Sequence, residues 1–200
     1  LNILLFSFLA SVLLISQKNY YGADHDTFAV IGSFINMIEN GYYEPSRSFG
    51  NIFAELILGS LVFFLGSKPT SAIVAIIFLI SILNFYLAFK NKESSNIEFK
   101  IFFLLCLSNP ILLFDNLNII DFVLALFFFS SGCLLFKKNN DMLGVLFFAF
   151  SIGCRLNFSL FAVTYIILNY KNNFLTIFKY LVLLSSISGL FYLSIFIKSF

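Results

Sequence analysis

The sequence predicts an all-α membrane protein that crosses the bilayer several times. Hydrophobic residues make up 60% of the chain, the mean hydropathy is +0.97, and only 11% of the residues are charged. A soluble domain of this length could not bury so much apolar surface. The apolar residues also form long runs separated by short polar turns. We expect about six to seven transmembrane helices, some of half length, and an extracytoplasmic loop with an amphipathic surface helix.

The aromatic and cysteine residues support the same interpretation. The chain has 30 Phe, 9 Tyr and no Trp, so tyrosines such as Tyr170 and Tyr180, at the ends of apolar runs, should form the interfacial belt. The three cysteines lie inside apolar segments, with neither a CxxC spacing nor a disulfide framework. We therefore expect them to be small packing residues.

The chain opens with an apolar run over residues 1–16, which predicts a first membrane helix. No basic residue precedes this run and no small-residue cleavage site follows it, which disfavours a signal peptide. We expect residues 1–200 to be a single transmembrane domain, the N-terminal part of a longer membrane protein. Residues 17–68 form the predicted extracytoplasmic loop.

Two helices are predicted inside this loop. The first should be capped by Asp26 or Thr27, run to Asn40 and stop at Gly41. One apolar stripe (Phe28, Ile31, Ile35 and Ile38) should lie on the membrane surface, with Ser33, Asn36 and Glu39 facing away. The second, at residues 51–66, is apolar but short, so we expect it to enter the membrane without crossing it.

The second half of the chain alternates apolar segments with polar turns. We expect helices at residues 69–89, 99–114, 119–136 and 172–197. Residues 142–169 are too long for one ordinary span of roughly 20 residues. The sequence Gly-Cys-Arg-Leu-Asn at residues 153–157 predicts a break, so that this segment rises and returns as two half-helices.

Lysines indicate the orientation of the chain in the membrane, because cytoplasmic loops carry an excess of basic residues. The turns that we assign to the cytoplasm contain Lys90, Lys92, Lys100, Lys137, Lys138, Lys171 and Lys179. The acids Asp24, Asp26, Glu55, Asp115 and Asp121 then share the opposite side. We predict a multi-pass protein of the bacterial inner membrane whose active site faces the extracytoplasmic side.

Asp24-His25-Asp26 follows the first apolar segment and precedes a helix N-terminus. The helix dipole there favours ionised carboxylates, which suit a general base or a ligand of a divalent cation. All three residues are candidate metal ligands, and the metal is undefined. The alternative is that Asp26 caps the helix, while Asp24 and His25 are merely solvated.

Two charged residues lie inside apolar segments, where charge is costly. Glu55 is either a functional residue or a side chain that reaches the interface. Arg155 must face protein or water, and its planar guanidinium suits a phosphate group. The alternative for Arg155 is an internal ion pair with Asp115, Asp121 or Glu55. If they do not pair with Arg155, Asp115 and Asp121 are either substrate contacts or solvated loop residues.

Several segments together resemble the GT-C glycosyltransferases, closest to the branch of protein mannosyltransferases and aminoarabinose transferases. They are Tyr-Gly-Ala-Asp-His-Asp at 21–26, Gly-Tyr-Tyr at 41–43, Pro-Ser-Arg-Ser-Phe-Gly-Asn at 45–51, Glu-Leu at 55–56, and Ser-Asn-Pro at 108–110 followed by Asp115 and Asp121. Gly153 and Arg155 occupy the place of a later glycine and lysine in that family. A Lys-Pro-Pro-like element of the family is replaced here by Arg-Ser-Phe-Gly at 47–50.

The resemblance implies a polyprenyl-phosphate sugar as donor and an extracytoplasmic glycan, lipid or protein as acceptor. Asp24 or Asp26 would be the general base, and Arg155 would hold the leaving phosphate. The remaining candidates, Arg47, His25 and the other acids, would contact substrate or a divalent cation. No P-loop or dinucleotide motif is present, which agrees with a lipid-borne donor, and we expect no nucleic-acid partner. The alternatives are a transporter or flippase, and a non-catalytic membrane assembly subunit.

Overall fold

The computed structural model describes residues 25–41, 43–46, 52–90, 96–109 and 119–198, with the backbone alone for 25–27, 96 and 194–198. These residues form eight α-helices and no strand, which confirms the predicted helical class for this part of the chain. The helices are α1 (His25–Asn40), α2 (Ile52–Leu65), α3 (Ser67–Phe89), α4 (Asn96–Ser108), α5 (Asp121–Lys137), α6 (Asp141–Cys154), α7 (Phe158–Asn169) and α8 (Phe174–Lys198).

Two of these helices are long and apolar enough to cross a membrane by length and composition. They are α3, with 23 residues, and the Phe174–Leu193 part of α8, with 20 residues. Helices α2, α6 and α7 are apolar but shorter, which agrees with the half-length elements expected at 51–66 and 142–169. The predicted first helix at residues 1–16 lies outside the described residues.

Helices α5 to α8 run alternately up and down, because short turns at residues 138–140, 155–157 and 170–173 join them. Three hydrogen bonds from side chains to backbone carbonyls connect these helices: Ser151 Oγ to Ala125 O at 2.7 Å, Tyr165 OH to Cys133 O at 3.2 Å, and Tyr192 OH to Ile152 O at 2.6 Å. In an apolar environment such bonds contribute roughly 0.6–2 kcal/mol each. They fix the vertical register of the four helices.

Glycines let α5 and α6 approach each other closely. A Cβ atom on Gly132 would lie 2.5 Å from Phe148 Cδ1, and one on Gly144 would lie 2.6 Å from Phe136 Cδ2. Each glycine therefore receives a phenylalanine ring from the other helix, and the Phe136 and Phe148 rings stack with centroids 5.2 Å apart. This is the small-residue packing that membrane helices use, since lipid supplies no hydrophobic drive between them.

The C-terminal ends of α3 and α5 meet at one end of the helical body. Lys137, the last residue of α5, donates from Nζ to the Leu87 carbonyl at 2.9 Å and to the Lys90 carbonyl at 2.6 Å. A lysine in this position neutralises the partial negative charge of the α3 terminus. The start of α6 and the end of α7 lie at the same end, because Asp141 and Tyr170 are hydrogen-bonded. We call this end, which carries Lys90, Lys137, Lys138 and Lys171, the lysine end.

Helix α1 packs on α2 mainly through residues outside the predicted stripe. Val30 and Phe34 are buried, and a Cβ atom on Gly59 of α2 would lie 2.2 Å from Phe34 Cβ. Ser33, expected to face away, is 5% exposed, and Ile31 of the stripe is 8% exposed, whereas Phe28, Ile35 and Ile38 are exposed. The prediction was therefore wrong for Ser33 and Ile31, because Gly59 has no side chain and lets this face of α1 approach α2 closely. The other three residues of the stripe lie on the outer surface.

Candidate functional site

Arg155 lies at the break between α6 and α7, as the sequence predicted. Helix α6 ends at Cys154, and the Arg155 backbone is extended (φ −155°, ψ 114°). Its N–H still donates to Ser151 O at 2.9 Å, and its carbonyl accepts from Phe158 N–H at 3.0 Å. The backbone N–H and carbonyl groups of Arg155 are therefore satisfied by the two helices themselves. This allows an irregular turn inside an apolar body.

The guanidinium of Arg155 faces a buried carboxylate at the first residue of α5. Arg155 Nη1 lies 3.7 Å from Asp121 Oδ1, and the side chain of Asp121 is 0% exposed while that of Arg155 is 30% exposed. The helix dipole favours an acid at this position. The Phe122 ring lies beneath the guanidinium, 5.4 Å from Cζ to the ring centroid. Arg155 is thus held from the protein side and remains accessible from the other.

Of the three acids proposed as ion-pair partners, the structure brings Asp121 to Arg155. The predicted alternative, an internal ion pair, is therefore present, with Asp121 as the partner. Asp115 lies outside the described residues. Glu55 has its own hydrogen-bond donors, described next. The ion pair leaves part of the guanidinium accessible, so it is compatible with binding an external anion.

Glu55 is almost fully buried near the N-terminus of α2, with 1% of its surface exposed. Its Oε2 accepts from Tyr43 OH at 2.5 Å, and its Oε1 accepts from Ser46 N–H at 3.1 Å and from Ser46 Oγ–H. These donors belong to the segment that follows α1. Glu55 is therefore enclosed by protein, and it fixes residues 43–46 against α2.

The other predicted site residues are only partly described. His25 and Asp26 are the first two residues of α1. Asp26 therefore lies in the first turn, and the helix begins at least one residue earlier than its predicted cap. A carboxylate in a first turn is still favoured by the helix dipole. Asp24 and Arg47 lie outside the described residues, as do the side chains of His25 and Asp26. Their roles as general base and substrate contacts stay predictions.

A divalent-cation site was proposed at Asp24, His25 and Asp26. Those side chains lie outside the described part of the chain. Among the side chains that are described, no group of three or more His, Cys, Asp or Glu residues could hold a metal ion. The cation therefore stays a prediction for the acidic motif alone.

A second polar cluster, at the lysine end, was not anticipated from the sequence. Asp141 Oδ2 accepts from Tyr180 OH at 2.9 Å and from Tyr170 OH. Burial, reinforced by the hydrogen bond to Asp141, raises the pKa of Tyr170 above its ordinary value. Tyr170 and Tyr180 were expected to be interfacial tyrosines. Asp141, Tyr170 and Tyr180 each lie at or near the end of an apolar segment in the sequence. An acid and two tyrosines at such segment ends were the signal that could have predicted this cluster.

The chain matches no family model, no curated protein and no solved structure. The resemblance to GT-C enzymes thus remains an expectation from short sequence motifs. Among the described charged residues, Arg155 has the best-defined surroundings: it pairs with Asp121 and lies over the Phe122 ring.

Proposed function

We propose that this chain is part of an integral membrane glycosyltransferase that moves a sugar from a polyprenyl-phosphate donor to an extracytoplasmic acceptor. The observation that supports this most directly is the half-buried Arg155, anchored by the fully buried Asp121 and by the Phe122 ring. A guanidinium held in this way costs little to orient when an anion arrives. It is a suitable partner for the phosphate of a lipid-linked sugar.

In the proposed reaction, Asp24 or Asp26 removes the proton from the acceptor hydroxyl. The acceptor oxygen bonds to the anomeric carbon while the bond from that carbon to the phosphate oxygen breaks, with inversion of configuration. The electron pair leaves with the polyprenyl phosphate, whose growing negative charge is stabilised by Arg155. His25, Arg47 and Asp115 orient the substrates, together with a divalent cation if the acidic motif binds one.

The Glu55 network supports this assignment by fixing the segment between α1 and α2. A carboxylate that accepts three hydrogen bonds holds Tyr43 and Ser46 in place. Hydrogen bonds to a charged group contribute roughly 1.5–3 kcal/mol each. The proposed role of Glu55 is therefore to keep the loop that carries Arg47 in register, rather than to react with substrate.

We place the protein in the bacterial inner membrane with about six to seven membrane-embedded helices. The support is the separation of charge along the helical body. Lys90, Lys137 and Lys138 meet at one end, while Arg155 and Asp121 lie at the opposite ends of α5 and α6. Under the positive-inside rule the lysine end faces the cytoplasm, so the Arg155 site opens to the outer side.

The proposal is tested by measuring the affinity of the purified protein for farnesyl phosphate, a short soluble polyprenyl phosphate. Arg155→Leu alone removes the Arg155 counterion of the buried Asp121, so the informative variant is Arg155→Leu/Asp121→Asn, with Asp121→Asn as its matched control. Loss of one charged contact should weaken binding roughly 10- to 100-fold in the double variant. Asp121→Asn should bind at least as tightly as the wild type.

Arg155→Lys keeps the positive charge but cannot make the bidentate hydrogen bonds of a guanidinium. The affinity of this variant for farnesyl phosphate should therefore lie between that of the wild type and that of the double variant. Equal affinity in the wild type and in the double variant, with both folded, would contradict the phosphate site. Sugar transfer itself is then assayed with the complete protein and lipid extracts containing polyprenyl-phosphate sugars.

A further inference from the structure

The lysine end contains an open cleft of about 620 Å³ between the C-terminal ends of α3, α5 and α7. This volume lies within the usual range for sites that bind small molecules. Among the described residues, the charged side chains that line it are Lys90 and Lys137, and none of the lining residues is an acid. The polar residues Asn139, Asn169, Tyr165 and Tyr170 also line the cleft. The Tyr165 and Tyr170 hydroxyls already donate to the Cys133 carbonyl and to Asp141, so the two asparagines and the two lysines are its polar side chains open to a ligand.

Three helix C-termini in one place bring partial negative charge, which by itself would repel an anion. Lys137 offsets this at α3 by donating to the Leu87 and Lys90 carbonyls. The last carbonyls of α5 accept from the backbone N–H groups of residues 138–140. Among the described residues, Lys90 contributes its carbonyl and not its side chain to these caps. Its ammonium is therefore the charge that we expect to contact a ligand.

The cleft also has an apolar side that opens outward. Phe89 and Leu168 line it and are 62% and 67% exposed. Leu168 belongs to the exposed apolar face of α7, and Phe89 is exposed because it is the last residue of α3. A ligand with an anionic head and hydrocarbon chains would place its head beside Lys90 and its chains against these two residues.

We propose that this cleft binds the phosphate headgroup of an anionic phospholipid from the leaflet at the lysine end. Basic pockets between membrane helices on the cytoplasmic side suit such headgroups. The inference rests on the proposed membrane placement, and not on sugar transfer. The lipid acts as a structural ligand that joins the ends of α3, α5 and α7.

The test is native mass spectrometry of the detergent-purified protein with phosphatidylglycerol, phosphatidylcholine or sodium phosphate added. Phosphatidylglycerol should bind most tightly. Lys90→Gln should weaken its binding about fivefold, the equivalent of about 1 kcal/mol for one lysine beside an anionic lipid. Asn169→Asp, which puts a negative charge in the cleft, should weaken it at least as much. Lys171→Gln is the matched control, since Lys171 is exposed at the same end but does not line the cleft.

Each contrary result overturns the proposal in a distinct way. Equal losses in Lys90→Gln and Lys171→Gln would assign binding to general surface charge. Equal affinity for phosphatidylcholine would remove the role of anionic charge. Binding of sodium phosphate that depends on Lys90 and matches that of the lipid would assign the cleft to a soluble phosphate compound. Farnesyl phosphate binding at Arg155 is measured separately, so a failure here leaves the proposed function untouched.

Discussion

Replacing Arg155 by leucine should destabilise the protein strongly, because Asp121 would lose its counterion while fully buried. The guanidinium nitrogen lies 3.7 Å from the carboxylate, whose side chain is 0% exposed. Breaking a buried pair by removing one partner costs roughly 3–5 kcal/mol. Since Arg155 is 30% exposed, we expect the lower end of that range, about 3 kcal/mol.

The assay is unfolding in detergent, monitored by circular dichroism, for the wild type, both single variants and the double variant. Arg155→Leu/Asp121→Asn leaves neither charge of the pair, so it should recover most of the stability lost in Arg155→Leu. This gives a coupling energy for the pair from a double-mutant cycle. The reasoning is refuted if Arg155→Leu unfolds like the wild type, or if the double variant is as unstable as the single one.

Three further predictions address the acidic motif, the topology and the buried glutamate. Asp24→Asn or Asp26→Asn should lower sugar transfer by roughly 100- to 10,000-fold with normal abundance; full activity in both variants would reduce the motif to a helix cap. In a cysteine-free background, a cysteine at Ser46 should react with an impermeant thiol reagent in intact cells and one at Asn139 should not; the reverse pattern would invert the proposed orientation. Glu55→Ala should cost about 3 kcal/mol, since several donors lose a charged acceptor, and Glu55→Gln clearly less; equal thermal stability of both variants and the wild type would show that the network contributes nothing.

The helix pattern and the break at Arg155 were predictable from the sequence for a simple physical reason. Apolar runs must be helical to satisfy their backbone in lipid, and polar residues interrupt them where the chain turns. Residues 142–169 exceed one span, so the polar Arg155 and Asn157 indicated where the segment divides. The described helices α6 and α7 end and begin on either side of that point.

The partners of the buried charges were not predictable in the same way. Asp115, Asp121 and Glu55 were equivalent candidates for Arg155, because spacing along a chain does not determine which helix ends meet. The tight packing of α5 on α6 determines which acid pairs with Arg155, because it brings the first residue of α5 beside the last turn of α6. Likewise, no feature of the sequence indicates that Tyr43 and Ser46 donate hydrogen bonds to Glu55. These hydrogen bonds depend on the path that the chain takes from α1 back to α2.

The ion pair and the proposed phosphate site make a joint kinetic prediction for Asp121→Asn. A polyprenyl-phosphate sugar is a diester with one negative charge, and the departing phosphate gains a second. If Arg155 binds the donor as we propose, Asp121 limits the donor's affinity by sharing the charge of Arg155, and the guanidinium would turn more fully toward the phosphate as charge develops. Without that acid, donor and product should both bind more tightly, and the more negative product should leave slowly. We therefore expect KM and kcat of the complete protein to fall together, each by roughly fivefold, or about 1 kcal/mol. If Asp121 only stabilises the fold, kcat will follow the folded fraction and KM will be unchanged.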